Sequence, residues 1–285
     1  MGIRGSRSRL PWNVGARTVI LRRVSSEAWE KLKEWSREPE GVAIFTDIDG
    51  TLAPIVPTPD LSEVPEELRQ LLSRLAESYR IVAGISGRAT PDAKKLLGLE
   101  DVVYYGNHGF EILRDGAVEV VPEAMPYEEK VRELEGLARE VLELRGAFIE
   151  DKGITASIHY RNAPPEVGEM SKAFVKREGE RLGLRITVGR GVVEARPPIR
   201  ADKGTAVRRL VEEYGPERAL FIGDDTTDLD AFRALEELRE EGVLRESLRV
   251  GVRSDEGPPE IVSEADLVVD GVEGVGDVLR VLAGG

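Results

Sequence analysis

The stretch Phe45-Thr46-Asp47-Ile48-Asp49-Gly50-Thr51-Leu52 closes an apolar run, Val42 to Thr46, that reads as a buried β-strand. Carboxylates two residues apart share one face of an extended chain. Charges so crowded repel unless a cation neutralises them or one carboxyl keeps its proton. Either outcome serves catalysis, with one group as an anionic nucleophile and the other as general acid and base. Taken alone, the pair reads equally well as an acidic turn at a strand end.

Outward from this stretch, short apolar runs alternate with helical patterns, the signature of an α/β fold with a parallel sheet. Leu68, Leu71, Leu72, Leu75, Ala76 and Tyr79 form one helical stripe, and Arg80 to Ile85 and Val102 to Tyr105 read as the next strands. In such doubly wound sheets ligands bind outside the carboxyl ends of the strands. The texture changes after Asp115-Gly116, a hairpin dipeptide. Residues 127–144 carry the stripe Val131, Leu134, Ala138, Val141 and Leu142. Strands are expected at 147–151 and 154–161, a helix at 166–182, and strands at 185–189 and 192–196. This order predicts an open α+β sheet with both helices on one face. From Asp202 the first texture resumes, with a helix to Glu213, a strand Ala219 to Ile222, a helix from Thr227 and strands near 248–252 and 266–269. The expected organisation is a basic extension and lead-in helix over 1–40, a core of 41–112 and 200–285, and an inserted domain of 113–199.

The run Phe221-Ile222-Gly223-Asp224-Asp225-Thr226-Thr227-Asp228 is a second apolar strand ending in carboxylates. If the strands are parallel, Asp47, Asp49, Asp224, Asp225 and Asp228 converge on one crevice. A magnesium ion, with its preference for oxygen ligands, suits such a group. The alternative is that Asp225 and Asp228 cap the following helix. Positive charge comes from Ile85-Ser86-Gly87-Arg88, a turn able to hold a phosphate oxygen, and from Lys203, which opens a helix.

Composition narrows the chemistry. The 285 residues carry 40 Lys+Arg against 53 Asp+Glu, a net charge of −13, with no cysteine and two histidines. Thiolate metal sites, disulfides and a cysteine nucleophile are excluded. The acidic balance argues against sequence-independent nucleic-acid binding, and no apolar stretch reaches the length of a membrane span. A cytoplasmic location is the expectation. Arg4, Arg7, Arg9, Arg17, Arg22 and Arg23 precede the first acid, Glu27. This start lacks a helical stripe and reads as an extension rather than a transit peptide or nucleic-acid arm.

Asp47-Ile48-Asp49-Gly50-Thr51, Ser86, Lys203 and Gly223-Asp224-Asp225 through Asp228 resemble the four ordered motifs of the haloacid dehalogenase superfamily of aspartate-dependent phosphatases. The resemblance implies a Rossmann-like core with a C2-type cap. It implies that Asp47 attacks phosphorus while Asp49 acts as acid and base, with Ser86 and Lys203 steadying the phosphoryl group. Magnesium would be held by Asp47, the backbone carbonyl of Asp49 and Asp224, with Asp228 assisting. An acid at 49 favours a phosphatase over a dehalogenase.

The inserted segment contains Glu150-Asp151-Lys152-Gly153 followed by an alternating stretch. Ile154, Ala156, Ile158 and Tyr160 take one face, and Thr155, Ser157, His159 and Arg161 the other, with Thr155 and Ser157 expected to be solvated. Glu150 with Lys152, and Glu194 with Arg196, are same-face pairs that could be surface ion pairs or grips for sugar hydroxyls. Gly106-Asn107-His108-Gly109-Phe110-Glu111, Glu150 to Gly153, His159-Tyr160-Arg161, Glu194-Ala195-Arg196-Pro197 and Gly223 to Asp228 together resemble the trehalose-6-phosphate phosphatase family. By that resemblance Glu150, Lys152 and Glu194 contact the disaccharide, and Asn107 and His108 lie on the core side. Arg161 and Arg196 orient the others, His108 and His159 are either substrate contacts or hydrogen-bonded structural residues, and Arg88 joins the substrate-binding set from the turn that holds a phosphate oxygen. The implied reaction releases trehalose and phosphate from trehalose 6-phosphate. Other sugar phosphates, such as sucrose phosphate or mannosylphosphoglycerate, and a non-catalytic sensor remain open. A functional link to a trehalose-phosphate synthase is also implied, and residues 1–40 are too few to encode one.

Overall fold

Val42–Thr46 (β1) is buried at all five positions, because alternate residues feed two different cores. Val42 and Ile44 pack with Leu32 and Trp35 of a helix described over 26–35 (α1). Ala43 and Phe45 face the opposite side. Such two-sided burial is what a central parallel strand requires. The computed structural model describes residues 26–56, 61–189, 191–254 and 257–284. The arginine-rich stretch up to Arg23 lies outside them.

In chain order the core continues with α2 (Glu66–Ser78), β2 (Ile81–Ile85), α3 (Thr90–Leu97), β3 (Val103–Gly106), β4 (Glu111–Arg114) and β5 (Ala117–Val120). The insert is α4 (Glu128–Leu142), β6 (Phe148–Asp151), β7 (Ala156–His159), α5 (Pro165–Leu182), β8 (Arg185–Gly189) and β9 (Val192–Arg196). The core resumes with α6 (Lys203–Tyr214), β10 (Arg218–Gly223), α7 (Asp228–Glu240), β11 (Glu246–Arg253), α8 (Pro259–Glu264), β12 (Leu267–Asp270) and α9 (Gly271–Leu282).

The larger sheet runs β12-β11-β10-β1-β2-β3-β4-β5. Pairing is parallel from β12 to β3 and antiparallel for the last two strands. Strand order reverses at β1, whose neighbours β10 and β2 come from distant parts of the chain. The register Thr46↔Ile222 and Thr46↔Gly84 aligns the three carboxyl ends. A crevice therefore opens beyond β1. Helices α1, α2, α3 and α9 cover one face, and α6, α7 and α8 the other.

The turn at Asp115-Gly116 forms as expected, with both residues at positive φ (+49° and +79°). The boundary placed at residue 113, however, falls inside the β4–β5 hairpin, which hydrogen-bonds into the larger sheet. Strand pairing carries the core to residue 120, past the change in sequence texture.

The second sheet, β6-β7-β9-β8, is antiparallel throughout. One face packs on α4 and α5 through Ile149, Ala156, Ile158, Val193 and Ala195. The α4 stripe needs one correction: Val141 is exposed, while Glu135 is buried on the helix face against the sheet. Burial, reinforced by the charge of Asp151, raises the Glu135 carboxyl to about 8.

A carboxyl raised by folding holds its proton in the folded state above the pH at which the unfolded chain loses it, so its stabilising contribution fades as pH climbs toward about 8. Calorimetric melting of wild type should therefore drop between pH 5 and 8.5. Glu135→Leu should melt about 2–4 °C higher than wild type at pH 8.5, with a smaller gap at pH 5.

Candidate active site

After Thr46 the chain leaves the sheet in a tight loop. The amides of Leu52 and Ala53 both donate to the carbonyl of Ile48 (2.8 Å each), and the Gly50 amide donates to Ala53. Gly50 has φ +87°, and a Cβ there would stand 2.1 Å from Oδ2 of Asp224. The loop lays the Thr51 hydroxyl on Asp224 Oδ1 at 3.0 Å. The Asp47 amide donates to Ile222 (2.9 Å), tying the end of β1 to β10.

Oxygen atoms of Asp47, Asp224 and Asp228 lie within 4.8 Å of one another, and all three residues are buried. Lys203 enters from the first turn of α6, its ammonium 2.8 Å from Asp47 Oδ1 and 2.6 Å from Asp228 Oδ1. Burial would depress the lysine pKa, but Asp228 and Asp47 outweigh it and hold the group well above its ordinary value. The carboxylates move the other way. Burial, with Asp228 and Asp224 nearby, raises Asp47 despite Lys203. Asp224 is pushed to about 7 by burial and Asp228. One ammonium cannot balance three carboxylates, so an all-ionised cluster keeps two excess negative charges.

Asp228 does not cap α7. Its Oδ2 accepts the amides of Asp224 and Asp225 (2.9 Å each), closing the preceding loop. Among the described residues, Asp47 Oδ2 and Asp224 Oδ2 accept no hydrogen bond. Hard oxygens, excess negative charge and raised pKa values together fit a divalent cation such as magnesium.

The expected convergence of five acids is corrected to three. Asp225 is exposed and contributes its amide rather than its carboxylate. The Asp49 carboxylate takes a bidentate bond from Arg88 (Nε 2.6 Å, Nη2 2.7 Å) and one from Ser62 (3.1 Å). The Asp49 ion pair raises Arg88 above its ordinary pKa. Ser86 is buried at the end of β2, and its hydroxyl accepts the Arg88 amide at 3.2 Å.

The second sheet lays its polar face on this region. Its register sets Glu150, Ser157, Glu194 and Thr187 side by side across the strands. Lys152 reaches between the two acids (3.7 Å to Glu150, 3.6 Å to Glu194) and donates to the Gly87 carbonyl at 3.2 Å. Burial works against ionised Glu150 and Glu194, yet their partners hold both below the ordinary carboxylate value. For Glu150 these partners are His159, with Nε2 at 2.8 Å, and Lys152. For Glu194 they are His108, Lys152, Arg196 and the Ser157 hydroxyl.

Thr155 and Ser157, expected to be solvated, are both buried. Thr155 donates to Asn107 Oδ1 (2.9 Å), and Ser157 to Glu194 Oε1 (3.1 Å). Asn107, at φ +49°, spends its remaining capacity on Glu111 Oε1 (2.6 Å) and the Lys152 carbonyl (2.8 Å). It joins core to cap rather than offering free groups to the crevice. Burial raises Glu111, which also accepts the Thr90 amide, to about 6. Burial lowers His108 to about 4, against the pull of Glu194. Arg161 is exposed beside Gly191 in the β8–β9 turn and is not brought to the cluster. Arg196 lines a cavity with His108 and Lys203.

Ser62 and the burial of Thr155 and Ser157 escaped the sequence reading. Thr51 and Glu111 stood inside the quoted motifs without a role assigned to them. That of Glu111 depends on a contact with Asn107.

An α/β sheet whose order reverses at β1, with carboxylates at the strand ends and an α+β cap over them, defines a capped member of the haloacid dehalogenase superfamily. Within it the chain belongs to the trehalose-phosphatase family, whose model matches residues 45–267. A trehalose-phosphate phosphatase of Mycobacterium marinum is 37% identical over 203 residues, 68% of this chain and 51% of that protein. A probable trehalose-phosphate phosphatase G of Arabidopsis thaliana is 34% identical over 226 residues, 69% of this chain and 59% of the relative. The chain thus spans little more than half the length of these relatives. The C-terminal domain of C. albicans trehalose-6-phosphate phosphatase superposes with TM-score 0.70 at 25% identity, covering 90% of this chain and 97% of that one. A trehalose-6-phosphate phosphatase related protein gives TM-score 0.71 at 22% identity, over 85% and 96%.

Removing one partner of a buried charge cluster costs about 3–5 kcal/mol. Lys203→Met should lower denaturant-measured stability by that order at pH 8. Adding Asp228→Asn should restore part of the loss; no restoration would break the link drawn between these side chains.

Proposed function

We propose that this chain hydrolyses trehalose 6-phosphate to trehalose and phosphate. The observation that carries the reading is an aspartate nucleophile candidate, Asp47, buried against Lys203 beneath a cap face bearing Glu150, Lys152 and Glu194. One Asp47 carboxylate oxygen would attack phosphorus as the bond to the sugar oxygen breaks, giving an aspartyl-phosphate, while the other stays on the charge cluster. Asp49, taking up a proton from solvent as it leaves Arg88, would give it to that oxygen, then take one from the water that cleaves the acyl phosphate. Both transfers require Asp49 to exchange its Arg88 contact for substrate or water, and Arg88 would then turn toward a phosphoryl oxygen. Ser86 and Lys203 would steady the same group.

Asp47 and Asp224 offer the open oxygens for magnesium, with the Asp49 carbonyl as a further donor and Asp228 supporting through Lys203 and its loop amides. Bound there, the ion would offset developing negative charge on the phosphoryl oxygens. Glu150 and Glu194, kept ionised, can accept sugar hydroxyls, while Lys152 can donate to them. His159 and Arg196 sit two register positions to either side on the same face, and would orient these groups. No helix among the described residues is long and apolar enough to cross a membrane, which suits a water-soluble sugar phosphate and the cytoplasmic location the reading assumes.

Phosphate release from trehalose 6-phosphate should require a divalent cation and vanish with a chelator. Asp47→Asn should cut kcat by roughly 10⁴-fold or more while substrate still binds. Normal turnover in that variant would sink the nucleophile assignment. Glu150→Ala should lower kcat/KM for trehalose 6-phosphate about tenfold relative to glucose 6-phosphate. An equal loss on both, or a better rate with sucrose phosphate, would move the substrate assignment elsewhere in the superfamily.

A further inference from the structure

A cavity of about 290 Å³ lies between the β8–β9 edge of the cap and the first turn of α6. Arg185, Arg196, Arg200 and Lys203 line it, together with His108. Arg185 and Arg196 are directly opposed across β8 and β9, an arrangement of like charges that destabilises a sheet left to itself. Neither guanidinium makes a hydrogen bond or ion pair among the described residues. Arg196 is half-buried, and burial holds its pKa below the ordinary value. His108 keeps Nδ1 buried and without a partner in the same wall.

Two acids, Asp202 and Asp230, share the lining with these four cations and also act on Arg196. Asp202 accepts the Thr205 amide at 2.8 Å in the α6 capping box, with Arg200 3.9 Å away, and Asp230 pairs with Arg233 at 2.8 Å. In a chain of net charge −13, this is a cationic hollow with unspent donors. It adjoins the reaction centre, because Lys203 both lines it and contacts Asp47. A water occupies about 30 Å³, so there is room for a tetrahedral oxyanion and several waters.

We infer that this cavity binds inorganic phosphate and conducts it from the reaction centre, past Lys203 and Arg196, to Arg185 and solvent. The inference rests on the reading that phosphate is formed at Asp47. Bidentate guanidinium donors suit phosphate oxygens.

Titration calorimetry of the full chain with inorganic phosphate tests this without turnover. Arg185 is exposed on β8 and touches none of the catalytic groups. Arg185→Glu should weaken phosphate binding about tenfold, and Arg185→Lys by no more than about threefold. Product inhibition by phosphate should weaken in parallel, while the KM for trehalose 6-phosphate stays within about twofold. Unchanged phosphate affinity in Arg185→Glu, with an unchanged melting temperature, would overturn the inference. A tenfold rise in substrate KM would do so too, by assigning Arg185 to the substrate's own phosphate. Wild type that binds phosphate through Arg185 but hydrolyses no sugar phosphate would sink the proposed reaction and leave the cavity standing.

Discussion

The site is organised by a single ammonium, Lys203, held between Asp47 and Asp228 and buried almost completely. A buried cation is costly to desolvate unless anions surround it, and buried carboxylates have the converse need. The arrangement therefore demands that α6, β1 and the β10–α7 loop meet at one point. The register Thr46↔Ile222 supplies that meeting. Asp228 has little freedom of its own, since two loop amides and Lys203 take its oxygens. The residual negative charge falls on Asp47 and Asp224, and it makes the cluster a receptor for a hard cation.

Cap and core are joined by a second polar construction, centred on Asn107. Its amide is used in full by Glu111, Thr155 and the Lys152 carbonyl. Lys152 thereby arrives at Gly87, close to Ser86, with Glu150 and Glu194 on either side. The positive φ of Asn107 and His108 is tolerated because these contacts over-determine the backbone. The cap sheet in consequence has two lined faces, one apolar against α4 and α5 and one polar against the core.

Much of this was legible in the sequence. Each apolar run of the core became a strand, and the residues just after β1, β2 and β10 gathered at one sheet edge, as parallel pairing requires. What escaped was whatever depended on a neighbour distant in the chain. Thr155 and Ser157 read as solvated because alternation separates the two faces of a strand without saying what covers either. Asp49 and Asp225 looked like members of the acidic cluster because spacing along the chain does not reveal that Arg88 claims one and solvent the other. The hairpin of β4 and β5 looked like part of the insert until its hydrogen bonds assigned it to the core.

Fold class, insertion and the identity of the charged groups follow from periodicity and residue chemistry, which are local properties of the chain. Which charges neutralise one another follows from packing in three dimensions. Lys203 with Asp47 and Asp228, Arg88 with Asp49, Asn107 with Thr155, and Arg185 opposite Arg196 are all products of strand register and of the way the cap lies on the core. Electrostatic energy depends on distance in space and on exclusion of water, and neither is written in the spacing of residues along the chain.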